Sequence, residues 1–178
     1  MNLYEYTPPK NNAKIMGIIT CITSIGLGPL LFSLVIPNLP FKWLFQLIAI
    51  IDFTVVIFLI TRFIAKSFSY SIIKVNDSDL DFTVTEITNG GKTKTTVCRI
   101  GIGGIEEIHI IDRSSKDEEQ KLQEIKRNAR KEGRKAFNYS TDINTPKLCI
   151  ILCEECGEKF LITLAFDDTL VGYLNKNQ

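Results

Sequence analysis

The 178-residue sequence predicts a membrane helical hairpin followed by a mainly β domain of the α+β class. Three observations predict this. Ile15–Ile36 carries no charged residue, and Trp43–Thr61 carries one, Asp52, near its middle. Only the short segment from Pro37 to Lys42 separates them. After Lys66 the long apolar runs stop, and short segments of alternating apolar and polar residues take over.

The hairpin comes first. A bilayer core is roughly 30 Å thick and a helix rises ~1.5 Å per residue, so about 20 apolar residues cross it. The expected spans are 15–36 and 43–61, with 1–14 as a cytosolic tail and 37–42 as an external turn. Lys14 precedes the first span, and Lys42 and Trp43 open the second. Phe41 and Trp43 suit the headgroup zone. A cleaved signal peptide has an apolar core of only about 7–15 residues and a small-residue cleavage site. The first run is longer, ends in Leu34, Val35, Ile36 and Pro37, and is followed at once by a second run.

Basic residues near span ends set orientation. Lys10 and Lys14 precede the first span, Arg62, Lys66 and Lys74 follow the second, and the turn has Lys42 alone. Both termini are therefore expected in the cytoplasm, with the protein in the cell (plasma) membrane. The five cysteines, Cys21, Cys98, Cys149, Cys153 and Cys156, are odd in number and unevenly spaced. Such a set suits reduced cytosolic thiols rather than a secreted disulfide framework.

Thr20, Ser24 and Gly28 recur every fourth residue, which lines small residues along one helix face. Packing of the two hairpin helices, or an oligomer interface, would use that face. Gly26 and Pro29 are candidates for a kink. Asp52 is costly at mid-bilayer, at ~2.5–3.5 kcal/mol on the insertion scale. Its structural reading is a neutral carboxyl bonded to Thr20, Thr23 or Ser24. Its functional reading is a relay or a contact with a partner's span.

The cytosolic domain is expected at 67–175. Strands are read at Ser67–Val75, Leu80–Ile87, Thr93–Ile100 and Ile105–Ile111. A turn at Asn76–Asp79, a hairpin turn at Asn89–Gly91 and a bend at Gly101–Gly104 connect them. Ser115–Lys131 reads as a helical insertion rich in Glu, Lys, Gln and Arg. Ser114 or Ser115 is its expected cap, Gly133 its stop, and Leu122, Ile125 and Ala129 its apolar stripe. Three more strands follow at Ala136–Thr141, Lys147–Cys153 and Lys159–Phe166. A closing helix, Thr169–Asn175, is capped by Asp167 or Asp168 and turns Leu170 and Leu174 inward.

Seven strands with a closing helix follow the pleckstrin-homology (PH) plan. Tyr70-Ser-Ile-Ile73, Leu80-Asp-Phe82, Cys98-Arg-Ile100 and Ile105-Glu-Glu-Ile108 resemble the front half of bacterial PH-like domains. In that family of largely uncharacterised membrane proteins the domain often sits behind two spans. The resemblance implies a PH-like, seven-stranded, partly open barrel with an inserted helix and a C-terminal helix. It implies a membrane-associated module and carries over no catalytic residue.

Three constellations are candidates for chemistry. Cys153 and Cys156, at the tip of an expected hairpin with Gly157 in its turn, resemble half of a zinc knuckle, where a tight turn presents two thiolates to one metal, and Cys149, Cys98 or His109 are candidates to complete it. No second CxxC follows, and His109 is the single histidine. Cys149 and Cys153 share a strand face that is equally a core face. Lys126, Arg127, Arg130, Lys131, Arg134 and Lys135 form a basic run. It reads as a solvated helix end matched to the macrodipole, or as a lipid-facing patch worth about 1 kcal/mol per cation near an anionic surface. The net charge of +1 and the lack of interleaved aromatics argue against nucleic acid. Gly101-Ile-Gly-Gly104 lacks the spacing of a phosphate loop. With one histidine and no nucleophile–base motif, no enzyme activity and no cofactor are expected.

The expected function is a membrane-anchored adaptor or scaffold whose PH-like module binds protein or anionic lipid. Membrane lipids and a membrane or cytosolic protein are the expected partners, with a homo-oligomer as an alternative. Two other readings remain open. One is an accessory subunit of an oligomeric transporter or channel using Asp52. The other is a membrane-tethered thiol metal sensor.

Overall fold

The computed structural model describes residues 2–10, 12–36, 40–76, 79–140, 142 and 145–176, leaving aside the side chain of Asn89. Residues 37–39 of the expected external turn, 77–78 of the turn after the first predicted strand and Thr141 lie outside the described residues. The chain folds as two units. Lys10–Lys66 forms one, and the segments on both sides of it together form the other.

The first unit is a pair of helices, α1 (Asn12–Val35) and α2 (Lys42–Leu59), the second continuing as a π-helical turn, Ile60–Ile64. Both are long and apolar enough to cross a membrane. Most of their large apolar side chains, including Ile25, Phe32, Trp43, Ile50 and Phe58, are exposed. A core helix of a soluble domain would bury such a stripe.

The buried positions are spaced by four or seven residues: Ile15, Ile19, Gly26 and Ser33 on α1, and Ala49 and Val56 on α2. This is the spacing of a two-helix seam. Thr20, Ser24 and Gly28 are not in it. All three are exposed, because they lie about 100–180° around the helix from the seam positions. The small-residue face expected to join the two helices points away from their contact.

The second unit begins with an unexpected strand. The sequence predicts a tail over 1–14, yet Asn2–Tyr6 forms β1. It pairs antiparallel with β2 (Ser67–Lys74), with Tyr6 opposite Tyr70 and Tyr4 opposite Ile72. The whole apolar hairpin is thus inserted between two paired strands. Pro8 and Pro9 follow β1 at once and end the strand by fixing φ and removing donors.

β3 (Leu80–Thr88) and β4 (Thr93–Gly101) complete a four-stranded sheet in the order β1-β2-β3-β4. Gly90 and Gly91 take positive φ in the turn between them. A single turn at Ile102–Gly104 then redirects the chain into a second sheet. Gly104 is required there, since a Cβ would stand 2.6 Å from the Glu154 carbonyl oxygen. The second sheet runs β5-β7-β8-β6. Its strands are β5 (Ile105–Asp112), β6 (Lys135–Asn138), β7 (Lys147–Glu155) and β8 (Glu158–Ala165).

The seven antiparallel strands expected are eight among the described residues, and β6 lies parallel to β8 at a sheet edge. The parallel pairing follows from α3 (Lys116–Lys131), which carries the chain back across the sheet before β6 begins. Hydrogen bonding keeps the sheets separate, so they form two layers rather than a closed barrel.

The inner faces meet in one core. Phe68, Tyr70, Ile72, Phe82 and Val84 come from the first sheet and Cys149, Ile151, Cys153, Ile162 and Leu164 from the second. Leu170, Val171 and Leu174 of α4 (Asp168–Lys176) join it. Asp167 caps α4 by accepting from the Leu170 N–H at 2.8 Å. On its outer face the second sheet packs Ile111, Leu148, Ile150 and Leu161 against Leu122 and Ala129 of α3.

Ser115 occupies the cap position of α3 but makes no capping bond, and the neighbouring Ser114 donates to Asp112. Gly133, at φ 72°, ends the helix. The Arg134 N–H then reaches the Ala129 carbonyl at 2.9 Å, the Schellman closure.

Tyr70 ties the two sheets together. Its ring is fully buried, its hydroxyl donates to the Tyr139 carbonyl at 2.9 Å and accepts from the Ala165 N–H at 3.1 Å. Tyr70→Phe keeps the ring but strands both backbone groups. The expected loss is about 1–3 kcal/mol of domain stability, read as a lowered melting temperature of the purified full chain.

Candidate functional site

The second half of α3 gathers the basic run, and the structure divides it in two. Arg134 is committed: its guanidinium bonds Glu106 at 2.6 Å and Glu132 at 2.7 Å, with the side chain only 6% exposed. Lys135 pairs with Glu158 at 2.7 Å. Neither is a free lipid-facing cation. By contrast, Lys126, Arg127, Arg130 and Lys131 make no side-chain ion pair or hydrogen bond among the described residues. Sequence reasoning missed this split, because the carboxylates at 106 and 158 are far away along the chain.

Lys126 and Arg130 lie one turn apart on α3. They line a pocket of about 180 Å³ whose far wall is Phe137 and Asn138 of β6 with Leu161 and Thr163 of β8. Burial lowers the Lys126 ammonium pKa, and the Arg113 and Arg130 charges push it the same way. Lys126 and Arg130 therefore gather positive charge on the α3 wall of the pocket.

A larger cleft, about 490 Å³, opens between β4, β6 and the β7–β8 hairpin. Three aromatic side chains line it beside Arg99, Glu155 and Glu158. Phe137 stacks on Tyr139 with centroids 6.0 Å apart and packs against Phe160 at the same distance. Tyr139 reaches across to the Val97 carbonyl at 3.5 Å. No single sequence window contains these residues.

The thiols do not converge. Cys149 and Cys153 are completely buried in the core, whereas Cys156 is exposed at the β7–β8 turn with φ 53°. Cys156 and Gly157 both take positive φ, which makes the two-residue hairpin loop. Strand alternation extends through Glu155 and keeps Cys153 inward, so the loop presents one thiol rather than two. His109 pairs with Glu107 at 2.9 Å. Among the described residues no group of three or more His, Cys, Asp or Glu side chains is placed to hold a metal ion. Burial pushes the Cys149 and Cys153 thiols up to about 12 and Cys98 up to about 11.

In the hairpin unit, Asp52 does not meet the hydroxyls expected to receive it. Thr20, Thr23 and Ser24 donate to the carbonyls of Met16, Ile19 and Thr20, each at 2.8 Å. A hydroxyl in apolar surroundings is satisfied by its own helix in this way. Asp52 instead packs on Gly26, where an added Cβ would sit 2.8 Å from the Asp52 Cβ. Its Oδ2 is buried and makes no hydrogen bond among the described residues.

No protein-family model, curated protein or solved structure matches this chain.

The buried thiols make stability depend on alkaline pH. The fold keeps them neutral up to about 11 or 12, while their ordinary value is 9.0. Above that value the unfolded chain binds fewer protons than the folded one, so raising pH favours unfolding. Their contribution is whole below about pH 9 and declines through pH 11–12. Under reducing conditions the melting temperature should be level from pH 7 to 9 and fall above it, and Cys149→Ala should flatten that fall.

Proposed function

We propose that this protein is a membrane-anchored adaptor of the inner leaflet. The two apolar helices anchor it in the cell membrane with both ends cytoplasmic. Its β domain is a PH-like module that binds a protein segment or anionic lipid. The pairing of β1 with β2 around the hairpin carries this reading. A helical pair that crosses a bilayer and returns has both ends on one side, and the pairing needs them there. The excess of Lys and Arg outside the connecting turn favours the cytoplasmic side.

Two surfaces supply binding capacity. The uncompensated cations of α3 attract anionic headgroups, at about 1 kcal/mol for each one near the surface. The aromatic cleft between β4 and β6 offers apolar area to a protein segment. The reading includes no catalytic step. The transporter alternative is set aside because Asp52 lies against Gly26 within the hairpin's own seam. The metal-sensor alternative is set aside because Cys149 and Cys153 are buried in the core while Cys156 is exposed at the hairpin turn.

The test places a photo-reactive amino acid at position 127, on the free side of α3, in cells. Irradiation of native membranes should join the chain to lipid or to a second protein. Recovery of only unmodified chain would contradict the adaptor reading.

A further inference from the structure

We propose that the pocket between α3 and the β6–β8 edge binds one phosphate monoester group, presented by an anionic lipid headgroup. The lipid source rests on the membrane-anchored reading above. The phosphate chemistry rests on the pocket itself.

Three donors converge there from two elements. Lys126 and Arg130 come from α3 at i and i+4, so they share a helix face. Thr163 comes from β8. It lies two residues from Leu161, which packs under α3, so it shares that face of the sheet. Thr163 is only 5% exposed, and its hydroxyl makes no hydrogen bond among the described residues. Its backbone is engaged, since the carbonyl accepts from the Tyr139 N–H at 2.9 Å. The hydroxyl alone is left over, inside a pocket edged by two unpaired cations.

The Thr163 hydroxyl has no protein partner among the described residues and borders the pocket, so it can donate to a bound acceptor. Burial disfavours the Lys126 ammonium, and the nearby Arg113 and Arg130 charges push the same way. One bound anion stabilises the ammonium through charge-assisted bonds to both cations and takes a bond from the hydroxyl. The neighbouring Arg134 shows the contrast. It lines the same pocket, but Glu106 and Glu132 already hold its guanidinium.

The donor set favours a phosphate monoester. Such a group carries about −1.5 to −2 charge near neutral pH and presents three acceptor oxygens. Two cations and a hydroxyl match that number. A diester headgroup offers one charge and two free oxygens, and a planar carboxylate offers two. The apolar wall of Ala129, Ala136 and Leu161 shields the pocket floor, which strengthens the charged contacts. A pocket of about 180 Å³ admits a headgroup phosphate and leaves the acyl chains outside.

The test uses the full chain in neutral detergent, titrated calorimetrically with soluble short-chain lipids. Phosphatidic acid should bind at least tenfold more tightly than phosphatidylglycerol, a diester. Arg130→Gln and Lys126→Gln should each weaken it at least fivefold. Thr163→Val, which keeps the buried shape, should also weaken it while leaving the melting temperature within a few degrees. Arg127→Gln, on the same helix but outside the pocket, should change affinity less than twofold. Equal binding of the two lipids, or equal effects of Arg127→Gln and Arg130→Gln, would overturn the pocket while leaving diffuse attraction to anionic membranes intact. Tighter binding of inorganic phosphate or of a phosphoserine peptide than of phosphatidic acid would overturn the lipid source.

Discussion

The hydrogen-bonded pairing of β1 with β2 is the constraint on which the rest of the structure depends. It makes five residues at the front of the chain part of a domain that resumes more than sixty residues later. β1 covers an edge of β2 that would otherwise present unpaired N–H and C=O groups. It also brings Tyr4 onto the C-terminal helix. The Tyr4 hydroxyl donates to the Asp167 carboxylate, and its ring packs 5.7 Å from that of Tyr173. Asp167 therefore serves the Tyr4 hydroxyl and the α4 N-terminus together. First strand, second strand and last helix form one unit.

A connection of this length between neighbouring strands would ordinarily carry a loop-closure cost that grows slowly with length. Here the connection is itself structured. The antiparallel helices return the chain to where it left. Within the hairpin unit the Lys10 ammonium donates to the Ile64 carbonyl at 2.9 Å, joining the start of the hairpin to its end. The seam uses small residues where the helices come nearest, with Gly26 against Asp52 and Ala49 fully buried. The hairpin thus does for β1 and β2 what a tight turn does for β7 and β8. The difference is that its exposed apolar surface suits lipid rather than water.

Much of this was legible in the sequence, and the rest was hidden for physical reasons. Length and lack of charge marked the apolar runs. Period-two alternation marked β2 to β5, β7 and β8, helix formers behind a Ser cap marked α3, and an Asp cap with two inward leucines marked α4. β1 escaped because Asn2–Tyr6 is short, and its partner lies beyond the hairpin. The parallel edge position of β6 escaped because alternation reveals a strand and not its neighbour. At the candidate site, the basic run was visible as a run. The division between Arg134 and Lys135, which are paired, and Lys126 and Arg130, which are not, depends on Glu106 and Glu158 on other strands. Thr163 carried no signal at all, since a Thr in a strand is unremarkable until its hydroxyl is found without a partner. The expectation for Thr20 and Ser24 failed on helix phase: a four-residue repeat of small side chains identifies a face but not what covers it.

The most direct test of the central claim is amide hydrogen exchange of the full chain in lipid nanodiscs, read over residues 2–6. If β1 pairs with β2, these amides exchange as slowly as those of β2 itself, and Tyr4→Ala speeds them while β7 and β8 stay protected. Exchange over 2–6 at the rate of an unstructured tail, with β2 still protected, would contradict the pairing. The hairpin would then be appended to the domain and not built into it.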